Sequence, residues 1–303
     1  MPRVRLLRVH HLVVVIALAP GCDTTTPPID DAGTQLDAAS ARDAAETLRD
    51  DAFTAGDAAW DAATSRDAGE RPEDAEVTLD AAPGATLPAE LLDLSIWKLT
   101  LPIGPPEMPM EITQPELATY EIDPWFVLVT DGVQFRANAG GVTTSGSSYP
   151  RSELREMEPG GSVRASWSTS SGRHEMRIDQ SITHLPEVKP HVVAGQIHDA
   201  SDDVVMIRLE GTHLFVEGGG EDLGTLDADY TLGDRFVVRI VAEGGHIRVD
   251  HGDDGTFEVD VERAATGCYF KAGVYTQSNV ARGDDADAYG EVIVHALDVT
   301  HTS

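Results

Sequence analysis

The chain has 303 residues, with 52 acidic side chains against 22 Lys and Arg, and carries a net charge of −30 at pH 7. So acidic a chain excludes a nucleic-acid binder, which needs clustered cations for phosphates. Two cysteines exclude a disulfide scaffold, so any folded domain must hold by its core. Residues 1–22 have the layout of an export signal: basic "MPRVRLLRVHH", a short apolar run "LVVVIALA", then "PGC". The run is too short to span a bilayer permanently. The setting of Cys22 is that of a bacterial lipoprotein cleavage site, so Cys22 is the expected lipidation position and the only expected link to a membrane. Residues 23–88 repeat Asp-Ala units and hold sixteen acidic and four basic side chains, a net of −12. Such a stretch cannot bury enough apolar area to offset its ordering entropy and reads as a disordered tether.

Residues 89–303 read as one all-β domain. One helical turn is expected, around "LPAELLDL" or "TQPELATY". "SVRASWS" (162–168), "HEMRIDQSI" (174–182), "HVVAGQIHD" (191–199), "DVVMIRLEG" (203–211) and "HLFVEG" (213–218) follow as short strands. So do "RFVVRIVAEG" (235–244), "GHIRVDHG" (245–252), "TFEVDVE" (256–262), "CYFKAGVYTQ" (268–277) and "GEVIVHALDVTH" (290–301). Gly244-Gly245 and Asp253-Asp254-Gly255 supply turn signals. Short strands with no helices between them predict an antiparallel sandwich or jelly roll, not βαβ units. "DHGDDG" (250–255) reads as a hairpin turn, because Gly252 stands where a calcium loop of the EF-hand type needs a ligand. No metal or other cofactor is expected.

Side-chain alternation sorts the polar residues. Period two puts Arg151, Glu153 and Arg155 on one face of "RSELRE", and Gln196 and His198 on one face of "QIH". In "CYFKAGVYTQ" it collects Tyr269, Lys271, Tyr275 and Gln277 on one side, with Phe270, Ala272 and Val274 behind. Each group alone has a bland reading: a self-neutralising ladder, a surface histidine, a solvated strand face. If the three strands share one sheet, they build a groove lined with cations, an amide, an imidazole and a phenol.

Together, "RSELRE" (151–156), "QIH" (196–198) and "YFKAGVYTQ" (269–277) resemble the three signature blocks of the alginate lyases of polysaccharide lyase family 7. "WKLTLP" (97–102) and "VQFRANAGGVTTSGSSYPRSELREM" (133–157) are similar to that family as well, so the resemblance spans about 93–300. It implies a jelly roll whose concave sheet holds the polymer, and cleavage of alginate by β-elimination, expected to be endolytic. By position it implies Arg151, Gln196, His198 and Tyr275 as catalytic residues and Lys271 as substrate-binding. Glu153, Arg155 and Gln277 are expected to line the same groove.

The chemistry suits those residue types. Removing the barely acidic C5 proton of an ionised uronate needs its carboxylate neutralised, which Arg151 and Gln196 can do, each donor being worth about a few kcal/mol. His198 suits the base and Tyr275 the acid that protonates the leaving O4. Three rivals stand beside this reading. A lyase for another polyuronate, such as glucuronan, would use the same set. A glycan-binding module would need only the groove. A glycoside hydrolase would need two carboxylates flanking the bond, and Glu156 should point away from Glu153. Ile197, in the middle of "QIH", resembles subgroups that accept guluronate. The protein is expected to act as a monomer on exported or cell-envelope territory.

Overall fold

The computed structural model describes residues 84–252 and 254–303. The export signal, Cys22 and the Asp/Ala-rich stretch up to residue 83 lie outside the described residues, as does Asp253 in the "DHGDDG" turn. The helical turns fall where Pro and Glu start them. The helix α1 spans Pro88–Leu91, with Pro88 at its start and the Glu90 carboxylate accepting the Leu87 N–H at 3.3 Å. A 3₁₀ turn covers Glu116–Thr119. Among the described residues no helix is long and apolar enough to cross a membrane.

Among the described residues sixteen strands follow in chain order. They are β1 (Trp97–Leu101), β2 (Met110–Ile112), β3 (Phe126–Leu128), β4 (Val133–Asn138), β5 (Arg151–Glu156), β6 (Trp167–Ser168), β7 (Arg173–His184) and β8 (His191–His198). The second half comprises β9 (Asp203–Glu210), β10 (His213–Gly218), β11 (Glu221–Asp227), β12 (Arg235–Glu243), β13 (His246–His251), β14 (Phe257–Glu262), β15 (Thr266–Thr276) and β16 (Tyr289–Thr302). All pairings are antiparallel and make two sheets. One has nine strands in the order β11-β10-β9-β8-β15-β5-β1-β2, with β6 against β15. The other has seven, β14-β13-β12-β7-β16-β4-β3. The three strands that carry the polar faces, β8, β15 and β5, are therefore adjacent at the centre of one sheet.

The core lies between the sheets. Leu154, Ile197, Ile207, Phe270, Ala272 and Val274 face it from the nine-stranded sheet, and Phe135, Met176, Ile178, Val238, Ile240 and Val292 from the other, all at 0 % exposure. Each large side chain so buried contributes about 1.5–3 kcal/mol. Gly244 (φ +62°) and Gly245 (φ +83°) make the two-residue turn between β12 and β13, a conformation glycine adopts without strain.

Two sequence expectations need correction. "SVRASWS" is not one strand: only Trp167 and Ser168 form a strand, Arg164 makes an isolated bridge to Met157, and Val163 is 62 % exposed. Without a buried partner for Val163, the small polar residues around it have no reason to stay extended. Conversely, β11 was not expected. It is an edge strand with an acidic, largely exposed "EDLGTLD", so it shows no apolar alternation to read.

Candidate active site

Register fixes which side chains meet. β15 aligns Lys271 with Arg155 and Tyr275 with Arg151 on one side. On the other it aligns Tyr269 with His198 and Lys271 with Gln196. The pairing with β8 then slips between Lys271 and Tyr275, so that Tyr275 stands opposite Val193. Gly195 (φ +154°) and Gly273 (φ +122°) lie in this irregularity. A Cβ on Gly273 would come within 2.6 Å of the Ser152 carbonyl oxygen and 2.8 Å of the Phe135 ring, so only glycine fits. The bulge brings Val193 and Gln196, three residues apart, to the same outer face, where Val193 packs on Tyr275.

Glu153 sits at the centre of that face, 2 % exposed. Its carboxylate accepts from Lys271 Nζ at 2.7 Å, from Arg151 Nη1 at 3.2 Å and from the Gln196 amide nitrogen. Burial alone would raise its pKa, but Lys271 and Arg151, helped by these hydrogen bonds, hold the carboxyl below its usual range. Glu153 thus orients three donors. Its bond to Gln196 also settles that amide, since the nitrogen end must face the carboxylate.

Arg151 extends from this cluster to Tyr275. Its guanidinium carbon lies 3.9 Å from the Tyr275 ring centroid, and Nη2 donates to Ser147 Oγ at 3.1 Å. Ser147 Oγ stands 2.8 Å from the Tyr275 hydroxyl. Tyr149 meets the Tyr275 ring edge-on at 6.3 Å between centroids, and its own hydroxyl accepts from Lys189 Nζ at 3.2 Å. Ser147, Tyr149 and Lys189 come from loops before β5 and β8. Sequence reasoning missed them; the one signal available was that "SGSSYP" runs directly into "RSELRE".

His198 lies at the other end of the face. Its Nδ1 is 2.7 Å from the Asp199 carbonyl oxygen and 3.2 Å from the Tyr269 hydroxyl. A carbonyl can only accept, so Nδ1 carries a proton, and in the neutral ring the lone pair then lies on Nε2, the tautomer a base needs. Tyr269 stacks on the imidazole at 5.4 Å, and Arg155 lies 3.8 Å over the Tyr269 ring. Burial raises the Tyr269 pKa, so this phenol stays protonated. Arg155 therefore reaches His198 through Tyr269, another residue absent from the expected set. Gln277 falls just beyond β15, 3 % exposed, with its backbone N–H on the His191 carbonyl oxygen at 3.0 Å.

The face brings Arg151, Glu153, Gln196, Lys271 and Tyr275 into one connected network, with His198 and Arg155 beside it. Glu156 is elsewhere. It points to the opposite face, 2 % exposed, and accepts from Trp167 Nε1 at 3.0 Å, the Phe270 N–H at 2.8 Å and His301 Nε2 at 2.7 Å. Glu153 and Glu156 cannot flank one glycosidic bond, which removes the two-carboxylate hydrolase reading.

The alginate lyase family model matches residues 92–301. The chain belongs to the alginate lyase family. Among solved structures, the alginate lyase AlgAT5 from polysaccharide lyase family 7 is 58 % identical, with a TM-score of 0.70 over 72 % of this chain and 100 % of its own. The alginate lyase from Corynebacterium sp. is 47 % identical, with a TM-score of 0.69 over 71 % of this chain and 98 % of its own. The family 7 alginate lyase A1-II′, solved with the substrate GGMG, is 26 % identical at a TM-score of 0.57, covering 72 % and 97 %. A curated relative, an alginate lyase of Klebsiella pneumoniae, is 26 % identical over 282 residues, 71 % of this chain and 91 % of that one. As a member of this family the chain is a polysaccharide lyase, and the sheet face just described is its candidate active site.

Proposed function

We propose that the protein depolymerises alginate by β-elimination, with Arg151, Gln196, His198 and Tyr275 as the reacting set. The observation that carries this reading is the placement of an imidazole in its base tautomer and a phenol on one sheet face around a preorganised Arg–Gln donor pair. Arg151 and Gln196 bind the uronate carboxylate and stabilise the charge that develops on it as C5 is deprotonated. His198 Nε2 takes the C5 proton and Tyr275 gives its proton to the departing O4. Mannuronate and guluronate carry the C5 hydrogen on opposite faces, so Tyr275 serves as base for one epimer and His198 for the other. Lys271 and Arg155 attract the neighbouring carboxylates, while Glu153 holds the donors in place.

Cleavage inside the polymer is part of the proposal. Its support is that the sheet continues on both sides of the reacting strands, with β1 and β2 beyond β5 and β9 to β11 beyond β8, so sugars can lie either side of the cut. The basic-then-apolar start of the chain and Cys22 support export with a lipid anchor at the cell envelope, the Asp/Ala-rich stretch serving as tether. The enzyme is proposed to act as a monomer.

Ultraviolet absorbance on alginate, polyguluronate and polymannuronate, followed by product sizing, tests the reading. A 4-deoxy unsaturated uronate should appear at each new non-reducing end, with intermediate oligomers early. New reducing ends without absorbance would mean hydrolysis, and monomers from the outset would mean exolytic cutting.

A further inference from the structure

The hydroxyl of Ser147 has four polar neighbours and only one proton. It is 8 % exposed, so water does not complete its shell. The Tyr149 backbone N–H at 3.2 Å and Arg151 Nη2 at 3.1 Å have protons and no lone pairs to offer. Both therefore donate to Ser147 Oγ and occupy its two lone pairs. The remaining neighbours are the Tyr149 carbonyl oxygen at 3.1 Å and the Tyr275 hydroxyl at 2.8 Å. If Tyr275 gave its proton to Ser147, it would be a third donor to an oxygen with no lone pair left. The single Ser147 proton can go to the carbonyl or to Tyr275; the Tyr275 contact is the shorter, and since Tyr275 cannot donate into it, it is a hydrogen bond only when Ser147 donates there.

We propose that Ser147 is a positioning residue for the elimination: polarised by Arg151, it donates a fixed hydrogen bond to the Tyr275 oxygen. The inference rests on Tyr275 being the proton donor to the leaving group. Its consequence is directional. With its oxygen already accepting from Ser147, Tyr275 turns its own proton away from the loop.

The step balances as follows. His198 Nε2 takes the C5 proton, the C5–H electron pair becomes the C4–C5 double bond, and the C4–O4 bond breaks. The proton leaving Tyr275 caps O4, and the phenolate left behind keeps the Ser147 donor and the Arg151 cation over its ring. Water then returns a proton to Tyr275 and takes one from His198. A donor that meets the phenolate more strongly than the phenol acts in the transition state, not on ground-state binding.

Ser147→Ala in the full chain should lower kcat about 10–100-fold with KM changed less than about threefold. The alkaline limb of its kcat–pH profile should move by about one pH unit relative to wild type, since the phenolate loses a donor. Ser147→Thr keeps the donor and should restore both kcat and the position of that limb. A Ser147→Ala enzyme with wild-type kcat, or one whose loss lies in KM with the limb unmoved, overturns the proposal. If Ser147→Ala does not fold, Ser147→Thr decides alone: a displaced limb in that variant overturns the proposal, and an unmoved one upholds it. A wild-type enzyme that gives no absorbing product would instead sink the lyase reading, so the two failures are separable.

Discussion

Glu153 and Glu156 lie on the same strand, three residues apart, and each is 2 % exposed, yet they have opposite surroundings. Glu153 faces outward among two cations and an amide, where it arranges donors for a reaction. Glu156 faces inward at one end of the sandwich, joining strands that are distant in sequence: β6 through Trp167, β15 through the Phe270 N–H and β16 through His301. Its imidazole partner continues the chain, because His301 Nδ1 meets His174 Nδ1 at 2.7 Å and His174 Nε2 meets the Ser171 carbonyl oxygen at 2.8 Å. Strand parity alone separates a carboxylate on the candidate active face from one that ties strands together.

The sharpest way to break this distinction is Glu153→Gln. Its amide would present an N–H to Lys271 or Arg151, leaving buried cations unmatched. We expect kcat/KM to fall roughly 10²–10³-fold. Stability should fall by about 3–5 kcal/mol, the usual cost of removing one partner from a buried charge cluster. Because its folded pKa is depressed, Glu153 contributes stability at neutral pH that is lost only as pH falls through that low value. The variant's deficit in denaturant melts should therefore be full at neutral pH and shrink only in acid. Loss of activity without loss of stability would mean that Glu153 is not the counter-charge described here.

Glu156→Gln should show the complementary pattern. Activity at 25 °C should stay within about twofold, while stability drops by about 1–3 kcal/mol as a charged acceptor of three hydrogen bonds is weakened. Burial lowers the His174 pKa, and the nearby His301 adds to this. A histidine with a depressed folded pKa contributes stability that is present above its ordinary value of about 6.5 and lost as pH falls. Thermal melts of the wild type should accordingly weaken as pH falls below about 6.5, and His174→Asn should flatten that slope. An activity loss in Glu156→Gln as large as in Glu153→Gln would erase the comparison.

The smallest effect sharpens the electrostatic side. Residues 89–303 hold 36 acidic and 15 basic side chains, a net of −21, and alginate is itself a polyanion. Glu153 cancels part of the field of Arg151 and Lys271, so their attraction reaches only close range. Salt screens over about 10 Å at 0.1 M and should relieve the distant repulsion first. Moderate sodium chloride should raise kcat/KM about twofold before high salt lowers it. A steady fall from the lowest salt onward would show that site-face attraction controls encounter.

Much of this was legible in the sequence, for physical reasons. β5, β8 and β15 alternate because one side of each is in the core and the other in a polar network, so Arg151, Glu153, Gln196, His198, Lys271 and Tyr275 could be grouped before their strands were known to be neighbours. The opposed directions of Glu153 and Glu156 follow from the same parity. Alternation fails where backbone irregularity intervenes. The slip between Lys271 and Tyr275 carries Val193 to the active face, and nothing but Gly195 and Gly273 marks it. Ser147, Tyr149 and Lys189 act through contacts across loops, which no periodicity encodes. The acidic edge strand β11 was invisible because it buries little.

Cys268 sits at the start of the segment that carries Tyr269, Lys271 and Tyr275, with 0 % exposure. Burial, with a smaller push from the Asp199 charge, raises its thiol to about 12, so almost no thiolate exists at neutral pH. The native thiol is inert to alkylation for as long as β15 stays seated. In a chain cut near residue 87 it is the sole cysteine. Its rate of labelling then becomes a clock for how often the central strand of the active sheet leaves its place, read without adding any probe.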